Sequence, residues 1–305
     1  MLAFVCSVTD PDAFASCAGA SIERLRARES IEEYVLSAVG SVARTYNLAL
    51  DRIGAGDDLE GVVFIHQDAE IQSADFCERV RRALAQPEVG VVGMVGAQGT
   101  RTMAWWEGDA TWDTFKLSYP DVPDDWIPQL AWRMGRGEIA TPCEVDVLDG
   151  FVLVLSPDAV RTLRFDETLD AKHGYDADIC RQAKAAGLRV MACDLGVVHH
   201  HEPDLVRDPD AWIEAQVLFA QKWREYPGAD TREGLELETV WRIEAEAALA
   251  RVVSASELLS AHASAYAEEL DRNRLTHTRS WKLTAPLRKI KRTIGSLRGE
   301  PRSSG

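Results

Sequence analysis

Three short apolar runs, LAFVCSV (2–8), VVFI (62–65) and VGVVGMVGA (89–97), constrain this chain more than any other feature. Each is nearly free of polar residues and rich in β-branched ones, the pattern of strands buried on both faces. The stretch 20–50 between the first two has helical spacing. SADFCERVRRALAQ (73–86), between the second and third, reads as an amphipathic helix with Ser73 as N-cap. Strand and helix alternating at this spacing predict an α/β domain built on a doubly wound, mostly parallel sheet.

The rhythm breaks at 98–135, where Trp105, Trp106, Trp112, Trp126 and Trp132 lie among prolines, glycines and acids. An irregular stretch of that length is usually a binding loop or lid, and its tryptophans are either core or exposed stacking platforms. Regular structure is expected again at EVDVLDGFVLVLS (144–156, strand), at PDAVRTL (a short helix) and at YDADICRQAKAAG (175–187), a helix whose closing glycine suits the C′ position. LRVMACDLGVVHHH (188–201) reads as a strand running into three histidines, and DAWIEAQVLFAQKWREY (210–226) as a helix, with Trp212 and Trp223 there for packing. Residues 232–275 read as one or two alanine-rich helices able to self-associate. The expected organisation is therefore an α/β domain over 1–230, a helical extension over 231–275 and a basic tail over 276–305.

Charge is distributed unevenly. Residues 272–305 carry ten Lys or Arg against Glu300 alone, a net +9, which leaves −24 on the rest of a chain whose total is −15. An acidic body of that strength repels nucleic acid. The tail combines its basic residues with Trp281, Leu283, Leu287, Ile290 and Ile294, a combination suited to an anionic lipid surface; a disordered, solvated tail or a helix docked on the acidic body is the competing expectation. No apolar run reaches the ~18 residues of a membrane span, and MLAFVCSVTD turns polar too soon for a signal peptide. The six scattered cysteines, with no CxxC pair, suit reduced and mostly buried thiols. The expected location is cytoplasmic, peripheral to the inner face of the plasma membrane.

In open α/β sheets, ligands collect at the carboxyl ends of strands. Three such ends here carry polar clusters: SVTD with Ser7, Thr9 and Asp10, HQDAE with His66, Asp68 and Glu70, and VVHHHEP with His199 and His200. A fourth cluster, DETLDAKHGYDAD, places Asp176 and Asp178 in the first turn of a helix, where the dipole favours acids in any case. Carboxylates and imidazoles arriving from distant segments suit a divalent cation. Oxygen ligands favour Mg²⁺ or Mn²⁺, and an imidazole tilts the choice toward Mn²⁺.

Read in order, TYNLALDR, GVVFIHQDAEI, PEVGVVGMVGA, VLDGFVLVLS and RFDETLDAKHGYDADICRQAKAAGLRVMACDLGVVHH resemble the GT-A glycosyltransferases of the family-two type, in the branch that writes its DxD motif as HQD. The likeness spans roughly residues 1–225. It implies a nucleotide-sugar donor, most often a UDP-sugar, contacted by Ser7, Thr9, Asp10, Asn47, His66, Asp68, Asp149 and Gly150. It implies a cation held by Asp68, His66 and one of His199 and His200. Asp176 matches the family's general base, with Asp178 as rival, and direct attack by the acceptor hydroxyl would invert the anomeric centre. Two positions depart from the family pattern: His66 stands where the motif has its first acid, and Tyr175 stands where the base is preceded by an acid. The tail string SWKLTAPLR (280–288) is similar to one found in bacterial surface-polysaccharide enzymes, which implies a glycan or lipid-linked acceptor. Two rival functions are a sugar nucleotidyltransferase, whose arginine- and glycine-rich phosphate loop is missing from SVTDPDAFASCAGAS, and a non-catalytic assembly partner working through the long helices.

Overall fold

A computed structural model of the 305-residue chain describes residues 1–37, 40–54, 56–111, 137–169, 173–200, 208–223, 236–254 and 272. The chain divides into two units, Met1–Leu259 and Ser260–Gly305. Of the second, only Arg272 is among the described residues, so the expectations for the tail and for helices beyond 254 lie outside them.

The strands are β1 (Leu2–Val8), β2 (Ile31–Ser37), β3 (Gly61–Ile65), β4 (Ala69–Ile71), β5 (Val89–Gly93), β6 (Gly96–Gln98), β7 (Asp109–Thr111), β8 (Glu138–Ile139), β9 (Cys143–Glu144), β10 (Val147–Leu148), β11 (Val152–Leu155), β12 (Arg189–Ala192) and β13 (Val197–His199). The helices are α1 (Pro11–Ser16), α2 (Ala18–Arg26), α3 (Val42–Ile53), α4 (Phe76–Leu84), α5 (Pro157–Thr162), α6 (Tyr175–Ala185) and α7 (Pro209–Lys222).

A seven-stranded sheet in the order β2-β1-β3-β11-β5-β12-β9 forms the centre. Strands β1, β2, β3, β5 and β12 run one way; β11, inserted between β3 and β5, and β9 at the edge run the other. The sheet is therefore mostly parallel, as the strand–helix alternation predicts. Side-chain alternation along β1 and β3 explains why both faces must be covered. Phe64 meets Tyr46 of α3 with ring centroids 4.5 Å apart, while Phe4 meets Phe76 of α4 at 5.9 Å. All five residues of β3 are buried. The six cysteines are free thiols, four of them buried.

Four details differ from expectation. The helix read over 20–50 is interrupted by β2, which pairs in parallel with β1 from Leu2↔Ile31 to Val8↔Ser37. It lies at the sheet edge, where Glu32 faces solvent and Glu33 pairs with Arg26, and those charges hid its strand character. Residues 89–97 split into β5 and β6, and 144–156 into β9, β10 and β11, because the chain leaves the central sheet for a four-stranded one, β10-β6-β7-β8. Ser73 does not cap α4: its hydroxyl donates to Asp75, and the helix starts only at Phe76. The C-terminus of α6, by contrast, matches its prediction. Gly187 has φ +79°, and the N–H groups of Leu188 and Gly187 donate to the carbonyls of Ala183 and Lys184, the pair of bonds that ends a helix on a left-handed residue. Residues 237–254 are helical; Trp106 Nε1 donates to the Ala248 carbonyl at 3.2 Å, and Arg251 pairs with Glu107.

Candidate active site and metal centre

The chain leaves β3 at Ile65, and His66 is pinned at once by its N–H donating to the Phe151 carbonyl at 2.9 Å. Three residues on, β4 begins and pairs antiparallel with β13, so His199 lies opposite Ala69. The His200 N–H donates to the Asp68 carbonyl at 2.9 Å. This small two-stranded pair is the device that brings the late histidines to the first motif. A ligand atom from each of His66, Asp68 and His199 lies within 4.8 Å of the others. His199 Nε2 is 3.3 Å from Asp68 Oδ1. The His199 ring stacks on Phe151 at 5.0 Å and 11°, and meets the His66 ring edge-on at 5.4 Å.

Burial pushes the Asp68 carboxyl up, but the hydrogen bond and charge of His199, with the charge of His66, outweigh it and hold Asp68 below the usual carboxylate range. Two imidazoles and an ionised carboxylate form a mixed nitrogen and oxygen donor set. Such a set fits a divalent cation of the Mn²⁺ kind better than Mg²⁺, which prefers oxygen alone.

Just before β11, the Asp149–Gly150 turn is fixed in place. The Asp149 carboxylate accepts from Trp105 Nε1 at 3.0 Å and from the Phe151 N–H at 3.1 Å. Trp105 and Trp106 are both buried, Trp106 lying 5.5 Å from Trp212. These two are anchors in the core, the first of the two alternatives for this stretch; Trp112, Trp126 and Trp132 lie outside the described residues. Asp176, in the first turn of α6, accepts a hydrogen bond from the Ala177 N–H at 2.8 Å. Burial, followed by the nearby Asp149 charge, pushes its carboxyl up to about 7. A base poised near neutral pH suits proton removal from a hydroxyl.

Tyr175 precedes it and is buried. Its hydroxyl lies 2.8 Å from His66 Nε2 and donates to the Gly150 carbonyl at 3.4 Å. A Cβ on Gly150 would come within 2.3 Å of that hydroxyl, so only glycine leaves room for it.

The remaining expected residues have other occupations. Asp178 is fully buried, and its carboxylate accepts from Lys222 Nζ at 2.7 Å, Trp223 Nε1 at 2.9 Å and Gln182 Nε2 at 2.7 Å. So enclosed and so fully bonded, it offers no lone pair to an incoming hydroxyl and acts as a latch between α6 and α7. Trp223 thus supplies a hydrogen bond as well as packing. Asn47 clasps the segment after α5, exchanging bonds with the Phe165 backbone at 2.8 and 3.0 Å and donating to Glu167 at 2.9 Å. Asp10 caps α1 by accepting from the N–H groups of Asp12 and Ala13. Ser7 pairs with Leu36 in the sheet. His200 turns to Glu70 at 3.0 Å, and Glu70 also meets Arg24, so His200 stands apart from the cluster.

Gln67 was not singled out by the sequence reading, although it sits in the middle of HQD. Its Oε1 accepts from the N–H groups of Thr9 and Asp10 at 2.8 and 2.9 Å, and its Nε2 donates to Thr9 Oγ1 at 3.1 Å. It ties the loop after β1 to the end of β3. A side chain flanked by two candidate ligands, and pointing the other way from both, was the available signal.

The sequence matches the Glycosyltransferase like family over residues 3–221. The chain belongs to that family. It is 28% identical over 181 residues to the streptomycin biosynthesis protein StrF of Streptomyces griseus; the matched region is 59% of this chain and spans 59% of that relative's length. Among solved structures it is similar to the mannosyltransferase PcManGT from Pyrobaculum calidifontis in complex with GDP-Man and Mn²⁺, with a TM-score of 0.46 and 14% identity over 97% of this chain and 86% of that one. It is also similar to GalNAc-T7 with UDP, GalNAc and Mn²⁺, with a TM-score of 0.46 and 8% identity over 81% of this chain and 55% of that one.

Proposed function

We propose that this family member is a metal-dependent inverting glycosyltransferase that moves a sugar from a nucleotide-diphosphate donor to an acceptor hydroxyl. The observation that carries the reading is the convergence of His66, Asp68 and His199 at the end of β3, with ligand atoms within 4.8 Å. These three would hold Mn²⁺ or Mg²⁺, and such a cation supplies positive charge to offset what develops on a departing diphosphate. The protein's own groups do the rest. Asp149, held by Trp105, lines the donor sugar. Asp176 takes the proton of the acceptor hydroxyl as its oxygen bonds to the anomeric carbon. The bond from that carbon to the diphosphate breaks on the opposite face, so the configuration inverts. General-base help of this kind is worth about 10²–10⁴-fold.

UDP is the favoured carrier. The acceptor is a glycan or lipid-linked saccharide of surface-polysaccharide assembly, a choice supported by the basic and apolar sequence of 276–298. Among the described residues no helix is long and apolar enough to cross a membrane, and the proposed place of work is the inner membrane face, reached peripherally.

Thermal shift with Mn²⁺ and a panel of nucleoside diphosphates tests the core of this. A nucleotide that stabilises the protein only when Mn²⁺ is present supports it. Indifference to every nucleotide, with and without metal, removes it and leaves the assembly-partner reading.

A further inference from the structure

We propose that Tyr175 is a positioning residue for the cation site: its hydroxyl bridges His66 Nε2 and the Gly150 carbonyl and so fixes the tautomer and orientation that let His66 serve as a ligand. This rests on the cation reading given above.

Three features of the geometry point to it. The Tyr175 hydroxyl lies 2.8 Å from His66 Nε2 and 3.4 Å from the Gly150 oxygen. In the proposed arrangement the phenol directs its proton to this carbonyl, which can only accept, and its oxygen accepts from the imidazole. His66 is then protonated at Nε2, and Nδ1 keeps its lone pair for a metal. A polar group that holds a metal-binding histidine in this way fixes the ring and raises its basicity as a ligand.

The second feature is Gly150. A Cβ there would lie 2.3 Å from the hydroxyl and 2.7 Å from Tyr175 Cζ. The turn after β10 is thus cut to admit this one ring. The third is the ring's own fixation. Tyr175 is 4% exposed, and its ring contacts Tyr46 at 5.8 Å and Phe165 at 6.1 Å, so the hydroxyl is delivered from a rigid wall of aromatics.

The test uses the full chain stripped of metal, with Mn²⁺ alone as titrant and free Mn²⁺ read by its electron paramagnetic resonance signal. No turnover is involved. Tyr175→Phe keeps the ring and removes only the hydroxyl. Its Mn²⁺ dissociation constant should rise by about 10- to 100-fold, the usual cost of losing such a partner, with the melting temperature of the metal-free protein near that of the parent. In a His66→Ala background the same change should add nothing, because there is no imidazole left to orient. Tyr175→Phe binding Mn²⁺ as tightly as the parent overturns the proposal, and so do two effects that multiply independently. If Tyr175→Phe melts early, Gly150→Ala serves in its place: by crowding the hydroxyl it should weaken Mn²⁺ similarly, and parent-like affinity in that variant also overturns the proposal. A parent protein that leaves all Mn²⁺ free is a different result. It overturns the cation reading itself, and this inference with it.

Discussion

Two clusters of charge reach α6, one at Tyr175 and one at Asp178, and they differ in what answers each carboxylate. In one, Asp68 faces imidazoles from His66 and His199, groups whose nitrogens carry lone pairs and can turn to a cation. In the other, Asp178 and Asp166 face Lys222, whose ammonium can only donate, with Trp223 and Gln182 filling the remaining positions. Burial raises the Asp166 carboxyl, but Lys222 and Thr168 outweigh it and bring it down to about 2. A carboxylate met by fixed donors is complete and holds the fold together. One met by lone-pair carriers has capacity left for a ligand. That distinction separates Asp68 from Asp178 better than their burial does.

The most severe way to break the comparison is to neutralise each acid in turn. Asp68→Asn should reduce Mn²⁺-dependent nucleotide binding by about 100-fold or more and leave the metal-free melting temperature close to that of the parent. Asp178→Asn should do the reverse. It leaves Lys222 short of a partner in a buried setting, a change worth roughly 3–5 kcal/mol when the pair is fully enclosed. Lys222 retains Asp166 and is partly exposed, so about 1–3 kcal/mol is expected here, a fall of about 2–12 °C in melting temperature. Manganese affinity should stay within about twofold. If Asp178→Asn instead stops turnover in a protein that melts normally, the base has been assigned to the wrong acid.

Asp176, two residues from Asp178 on the same helix, sharpens the contrast through pH. With its carboxyl pushed up to about 7, the ionised base is lost below neutrality, so kcat/KM should fall about tenfold per unit on the acid side of pH 7. Asp176→Asn should cost about 10²–10⁴-fold in kcat with little change in nucleotide affinity. Stability gives a second readout with its own sign. A carboxyl whose folded value lies above its ordinary value of 3.8 binds protons more tightly when folded, so its contribution is present below that value and is lost as pH rises through about 7. The metal-free Asp176→Asn protein should therefore gain on the parent between pH 5 and pH 8. A parent profile that is flat in both activity and stability across that range would place the base elsewhere.

How much of this was legible beforehand depended on whether the cause was local. Strands β1 and β3 could be read because burial on both faces demands apolar residues at every position. Strand β2 could not, since an edge strand bearing Glu32 and Glu33 satisfies a helical pattern equally well. The reversed direction of β11 was also hidden: VLVL packs the same way whichever end comes first, and direction is set by the Asp149–Gly150 turn and by the departure of β10 into the second sheet. At the site, Asp68 and His199 were accessible from their place at strand ends. The fates of Asp178 and Asn47 were not, because they depend on Lys222, Trp223 and the Phe165 segment, which only the docked fold brings near. The two departures from the family motif, His66 and Tyr175, looked independent in sequence and turn out to touch at 2.8 Å.

The smallest effect tests the finest distinction, that between adjacent histidines. His199 belongs to β13, stacks on Phe151 and meets Asp68; His200, one residue later, points to the opposite side of the strand and pairs with Glu70. Alternation along an extended chain requires this split. His199→Ala should weaken Mn²⁺ by at least about tenfold, whereas His200→Ala should change it by less than about twofold. The second variant should cost no more than about 1 kcal/mol in stability, the worth of one partly exposed hydrogen bond. Equal losses of manganese affinity in the two variants would mean that the strand is not what selects the ligand, and that His200 reaches the cation by turning away from Glu70.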